Sequence, residues 1–587
     1  MKLQDAARYL RTINRLKANQ LYWRPRYMLE KIFSPSPLPS PPPEISESAI
    51  APLGARFPPM PLFLRPGPVG EECVAMLDRG EFRHLNRASN INQDRPDWRL
   101  GDQDEHRLWI NTLHYHYWIY DLAEAAAPAA PSSAAAAGLL AHYLTDWIRR
   151  CALEAPGSRH LVWNSYVIAT RLTWWIRALL ALQASGVPFP PGLSQTMLTS
   201  LWRQAYYLND HVEWDLRANH VLRDAAGLAW AGRFFPGNDA RDWLASAARI
   251  ATAEVPEQVL PDGGHFERSP MYHLHVMEDV LSLALLLENA DARAAMIEAW
   301  KKMAGFLRWI VHPDGGIALF NDSAMNGSAG PARMLSLGNA IGAAVAPGPP
   351  AGGRLFPDTG LVVWRGVPWT VFFDVGPVGP DYQPGHAHAD TLSIECSFRG
   401  SRLFVDPGTY AYDHDARRDY DRSTAAHNTV CIDGDDSSEV WHIFRVGRRA
   451  RPLKVSAEIA SGAMSASASH DGYDHRPGRP RHARTLSITA DGVLTVSDEI
   501  TGAGTHEVSG GFLLAPGWGA EPAPSGWKLC NGPLRVHVGL QGPPEMKLRL
   551  EQRPYHPEYG LELAAARIGW SVDAPLPVTV RAVISEE

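Results

Sequence analysis

From about residue 105 to 345, apolar residues recur at three- and four-residue spacing, the period of amphipathic helices. LWINTLHYHYWIYDLAEAA, SYVIATRLTWWIRALLAL, HVLRDAAGLAWAGRFF and MEDVLSLALLLENA are the clearest runs. The breaks between runs are short and carry Pro, Gly or Asn, as in SGVPFPPG and FFPGND. The pattern predicts about nine helices in antiparallel succession, and stacked hairpins curling into a partial ring would best bury their apolar faces. After AVAPGPPAGG the texture changes. Short alternating runs bounded by Gly, Pro and Asp follow, among them GLVVWRG, WTVFFDVG, TLSIECSFRG, LTVSDEI and PVTVRAVI. These predict closely spaced, mostly antiparallel strands forming a sandwich. The expected divisions are a basic N-terminal helix with a Pro-rich spacer (SPSPLPSPPPE) over 1–44, a helical domain over 45–345 and a β-sandwich over 346–587. Catalytic machinery in such a chain is expected in the cleft between the two large domains.

Composition narrows the function classes. With 45% hydrophobic and 20% charged residues, the chain is globular rather than disordered. A net charge of −7 argues against a dedicated nucleic-acid binder, so a polyanionic partner would need locally gathered positive charge. RVGRRAR and RPGRPRHAR could gather it, although solvated loops explain such runs equally well. Cys73, Cys151, Cys396, Cys431 and Cys530 form no CxxC pair, which argues against a disulfide framework and a thiolate zinc site. The 20 Trp supply faces for sugar rings, and packing in helical cores accounts for most of them. No apolar run is long enough to span a bilayer. The N-terminus reads as a basic amphipathic helix docked on the body of the protein, not as a secretory signal, so the expected location is the cytoplasm, with the periplasm or secretion by an atypical route as the alternative. Oligomeric state is left open, a homo-oligomer included.

Three stretches carry chemistry. In the densest, which begins GHAHADTLS, an extended strand would point His386, His388 and Asp390 to one face. Asp406 ends the next β-like run, and His427 follows. Two imidazoles and a carboxylate make a site for one divalent metal, with zinc the better fit and manganese the second. Such an ion would serve a structural role. Spacing alone does not separate His386 from His388 as the ligand. In LPDGGHFERSPMYH, Ser269-Pro270 opens a helix that presents Tyr272 in its first turn, with Glu267, Arg268 and His273 nearby. In RANHVLRD, Asn219 is expected as an N-cap and His220 as the first helical residue.

Taken together, NHVLRDAAGLAWAGRFF, DGGHFERSPMYH and GHAHADTLSIE…VDPGTYAY…RDYDRST…AHNT resemble the heparinase II/III family of polysaccharide lyases. DWRLGDQDEHRLWINTLHYHYWIYDLA and WNSYVIATRLTWWIRAL resemble that family's toroid helices. The resemblance implies an incomplete (α/α) toroid joined to an antiparallel β-sandwich. It also implies β-elimination on an anionic polysaccharide or oligosaccharide containing uronic acid, of glycosaminoglycan or alginate type. Asn219 and His220 would bind the substrate carboxylate and take up enolate charge. Tyr272 would protonate the departing O4 and could remove the C5 proton from one uronate epimer, and His386 would be the base on the opposite face. His388, Asp406 and His427 would hold the metal, with His386 outside it. Arg268, Tyr410 and Arg422 would add contacts to the uronate or support the tyrosine. Two other readings fit the residues less well: a toroid-type glycosidase using Asp262 and Glu267, and a glycan-binding or assembly protein without turnover.

Overall fold

The computed structural model describes residues 3–32, 38–43, 45–46, 56–61, 68–100, 106–187, 193–346 and 348–587. Much of the expected Pro-rich spacer lies outside the described residues. The N-terminal basic stretch forms two helices, Leu3–Ile13 and Ala18–Ile32, rather than one. Among the described residues, ten further α-helices run from Arg107–Tyr115 to Pro331–Leu337 and pack into the incomplete toroid. The run around HYHYW is two helices because His116, at φ 62, breaks it. The buried His116 ring is fixed there by Trp175, whose Nε1 donates to its Nδ1 at 2.8 Å. Trp98, Trp118, Trp147 and Trp175 are all buried around this break, so these indoles are core and not sugar platforms.

The helix Asn219–Phe234 runs through the centre of this half and packs on Ser165–Ala184, Asn238–Gln258 and Pro270–Leu286. It lies close to its neighbour at Gly227, where a Cβ would fall 2.6 Å from the Ala169 Cα. This tight seam anchors the helix whose first turn carries Asn219 and His220. Among the described residues, no helix is long and apolar enough to cross a membrane.

The second half is antiparallel β-structure. A five-stranded sheet, in chain order, holds Gly352–Phe356, Leu361–Arg365, Trp369–Asp374, Ile394–Phe398 and Ser401–Phe404. An eight-stranded sheet and a four-stranded sheet complete the sandwich. Strands such as Ala463–His470 alternate buried and exposed positions, as a sheet with one wet face requires. Leu361–Arg365 is buried throughout, because it is covered on both faces. Two long connections leave the five-stranded sheet: residues 375–393, and residues 405–429 ahead of Val430–Ile432. These two loops carry the histidines that the sequence singled out.

Candidate active site

A cavity of about 480 Å³ opens where the helical half meets the sheets. Asn219, His220 and Tyr272 line it from the helices, and His386, Tyr412 and Tyr559 line it from the β half. The four residues expected to do chemistry thus share one hollow.

Asn219 is the first residue of its helix and not its cap; the N-cap is Ala218, which makes no side-chain bond. Arg217 and Ala218 both have positive φ, at 66 and 56, a strained turn for two residues with a Cβ. It is held by the Gln258 amide, which donates to the Ala218 carbonyl at 3.0 Å, and by ion pairs from Arg217 to Glu254 and Glu257. Because Asn219 caps nothing, its side chain is free for the site. Its Nδ2 donates to Glu267 Oε2 at 2.7 Å. Burial raises the Glu267 carboxyl above its usual range.

His220 Nδ1 lies 2.8 Å from Glu213 Oε2, and the other Glu213 oxygen accepts from Asn164 Nδ2 at 3.1 Å. Burial alone would lower the His220 pKa, but the Glu213 carboxylate outweighs it and the pKa is raised. The ring therefore keeps positive charge to higher pH than a free histidine, which suits an anionic ligand.

Tyr272 sits in the first turn of Pro270–Leu286, as expected, with the Ser269 hydroxyl accepting from its backbone N–H at 3.1 Å. Burial holds its phenol pKa well above 10, so it is a neutral proton donor. Its hydroxyl is 3.0 Å from that of Tyr412, which is 2.8 Å from that of Tyr559. Its ring stacks on His386 with centroids 3.7 Å apart and planes at 22°. No sugar fits between rings in contact. The two groups stand side by side at the cavity, one from each half.

His386 Nδ1 is 2.9 Å from Asp322 Oδ2. An imidazole nitrogen facing a carboxylate carries the proton, so Nε2 presents its lone pair toward Asn219 Nδ2, 3.4 Å away. Asp322 is fully buried and also meets His388 Nε2 at 2.9 Å and both terminal nitrogens of Arg418. Burial pushes its carboxyl up, but Arg418 and the two imidazoles hold it well below the usual range. The sequence reading missed Asp322, because FNDS at 320–323 matches no motif.

The expected strand bearing His386, His388 and Asp390 is instead an irregular loop. Its backbone is tied by His388 N donating to Asn321 Oδ1 at 3.0 Å and Ala389 N donating to the Arg422 carbonyl at 3.0 Å. Freed from the two-residue strand period, His386 faces the cavity while His388 turns inward. There, ligand-capable atoms of His388, Asp406 and His427 all lie within 4.8 Å of one another, and all three residues are fully buried. His388 Nδ1 and His427 Nε2 have no hydrogen-bond partner, and Asp406 Oδ2 is 2.7 Å from His427 Nδ1. Orphaned buried nitrogens of this kind cost roughly 1–3 kcal/mol each unless something binds them. Two imidazoles and a carboxylate fit a divalent cation, and this donor set does not by itself choose the metal.

Three expected contacts lie elsewhere. Arg268 spends its guanidinium on the carbonyls of Phe266, Asp358 and Thr359, behind the cavity wall. Arg422 is buried and holds the carbonyls of Ala387, His442 and Arg445, shaping the loop without reaching the hollow. The Tyr410 ring packs against His556 and lies under Arg417; Tyr412, two residues on, is the tyrosine that enters the site. The glycosidase pair fails as well: Asp262 binds the Thr359 backbone and hydroxyl outside the cavity.

The profile of the heparinase II/III N-terminus matches residues 75–336, and that of the heparinase II/III-like C-terminal family matches residues 348–583. A heparin-sulfate lyase of Bacteroides stercoris is 24% identical over 404 residues, covering 62% of this chain and 60% of that protein. One of Pedobacter heparinus is 25% identical over 317 residues, covering 50% and 47%. One of Bacteroides thetaiotaomicron is 24% identical over 239 residues, covering 39% and 34%. The chain thus spans between about a third and three fifths of the length of these relatives. A crystal structure of heparinase III superposes with a TM-score of 0.73 at 18% identity, covering 88% of this chain and 85% of that one. That of a Pedobacter heparinus heparan sulfate lyase gives 0.59 at 17%, covering 92% and 88%. With both halves matched by the family and the fold shared across the seam between them, the chain belongs to the heparinase II/III family.

Proposed function

We propose that this protein is a polysaccharide lyase that cleaves a uronic-acid glycan, of the heparan-sulfate type, by β-elimination. The observation that supports it most is the gathering of Asn219, His220, Tyr272 and His386 around one cavity. Elimination removes the C5 proton beside a carboxylate, and that proton is a poor acid while the carboxylate keeps its charge. Asn219, oriented by Glu267, and His220, whose pKa Glu213 raises, would neutralise the carboxylate and the enolate that develops from it. His386, with Nδ1 held by Asp322, offers Nε2 as the base. Tyr272, neutral through burial, donates its proton to the departing O4, and Tyr412 and Tyr559 line up behind it as a route for proton return. With the Tyr272 and His386 rings in contact, the pair would suit substrates whose C5 hydrogen and O4 lie on the same ring face, as in glucuronate.

His388, Asp406 and His427 would hold one divalent cation, for which zinc is our choice. Such an ion would cross-link the two loops that bear the site and has no part in the proton transfers.

The test is a panel of heparan sulfate, heparin and alginate, read by ultraviolet absorbance and reducing ends, with and without chelator. The lyase reading expects absorbing, unsaturated ends in step with reducing ends. Reducing ends without absorbance would establish hydrolysis instead.

A further inference from the structure

The two N-terminal helices touch both halves of the molecule and contribute to the cavity lining. On the sheet side, Arg11 makes a two-pronged contact with Glu439 at 2.6 and 2.9 Å, and Arg8 reaches the same carboxylate at 3.3 Å. Tyr9 meets Trp441 edge-on at 4.8 Å, and Arg15 lies 3.5 Å from Asp381. On the helical side, Lys17 pairs with Glu257, Arg24 Nε donates to the Asp215 carbonyl at 3.1 Å, and the Tyr27 hydroxyl donates to the Val212 carbonyl at 2.8 Å. Gln20 joins the two sides: its fully buried amide faces the carbonyls of Asp215, Leu216 and Tyr382.

A strap fixed to both walls of a cleft closes the cleft where it crosses. Thr12, Leu16 and Arg24 of the strap form part of the cavity lining itself, beside residues 381–386 and 444–446. Arg24 and Arg445 both line the cavity; the Arg445 guanidinium lies 4.8 Å from the rings of Tyr9 and Trp441, and its buried Nη1 has no hydrogen-bond partner. Two cations on a closed wall, one with an unused donor, form a place for an anion.

We propose that the N-terminal helices are the end wall of the substrate cleft, that Arg24 and Arg445 bind an acidic group on the terminal sugar there, and that cleavage therefore proceeds from a chain end. The inference rests on the lyase reading and adds the direction of attack. It makes the N-terminal segment a determinant of product size.

The experiment follows early products from full-length protein acting on heparan sulfate, by size separation with ultraviolet detection. The wild type should release one short unsaturated product from the first per cent of turnover, while the bulk chain length falls slowly. Arg8→Glu, Arg11→Glu and Lys17→Glu together set like charges against Glu439 and Glu257. This variant should lose hydrogen-exchange protection over residues 7–30 and yield unsaturated oligosaccharides of mixed length. Arg24→Gln with Arg445→Gln should keep the product size but raise KM about tenfold, as expected for lost charge-assisted bonds. Mixed lengths from the wild type at early times would overturn the inference while leaving the lyase reading intact. So would a triple variant that stays protected, or one that loses protection and still releases the single short product. Absence of any absorbing product would overturn the lyase reading, and this inference with it.

Discussion

Two clusters in this molecule have the same composition and opposite circumstances. At the cavity, Asp322 binds His386, His388 and Arg418. Inside the eight-stranded sheet, Asp498 binds His482 at 2.7 Å and Arg484 at 2.7 and 2.9 Å, with His470 Nε2 behind, 3.3 Å from His482 Nδ1. Both carboxylates are held below their usual range: burial pushes them up, and a neighbouring arginine and imidazole outweigh it. The difference is access. One edge of His386 meets a cavity, beside a phenol and an amide, whereas His470 and His482 are sealed. Histidine, aspartate and arginine together therefore do not mark a catalytic site. What sets the cavity cluster apart is an imidazole edge open to the hollow.

This contrast is open to direct attack. The largest expected effect is on turnover: His386→Ala or Tyr272→Phe should lower kcat by roughly 10³-fold or more, with little change in thermal midpoint. His482→Ala should do the reverse, lowering stability while leaving kcat of the folded fraction intact. Next, Asp498→Asn removes one partner from a buried ion pair and should cost about 3–5 kcal/mol in denaturant unfolding. Asn219→Ala, which removes a donor from the substrate carboxylate, should cost on the order of 10²-fold in kcat/KM.

Acid should separate stability from activity. Asp498 has a depressed folded pKa, so its stabilisation is complete above the unfolded value near 4 and is lost as pH falls below that toward its folded value. Wild-type stability should therefore fall steeply below pH 4, and Asp498→Asn should flatten that limb. Chelation is expected to have the smallest effect: a thermal midpoint lower by about a few degrees, as expected for loss of a structural ion, with Tyr272 and His386 chemistry persisting in the folded fraction.

The sequence carried the architecture because its signals are periodic. Helical spacing before the AVAPGPPAGG break and strand alternation after it survive in the helices and sheets. The residues facing the cavity were legible where a turn or helix start displays them, as Ser269-Pro270 displays Tyr272. What escaped is what only folding assembles. Asp322 and Tyr559 reach the site across long stretches of chain. Tyr410 and Tyr412 are two residues apart in one loop, and only its irregular backbone decides which one enters. The same irregularity splits His386 from His388, a separation that regular strand geometry forbids.

The central claim is that Asn219, His220, Tyr272 and His386 act on one acidic sugar. A crystal structure of Tyr272→Phe with a heparan-sulfate tetrasaccharide tests it most directly. The account predicts a uronate carboxylate within hydrogen-bond distance of Asn219 and His220, with C5 facing His386 Nε2 and O4 facing the edge of the substituted ring. A tetrasaccharide bound with its carboxylates away from Asn219 and His220, or outside the cavity, would contradict it.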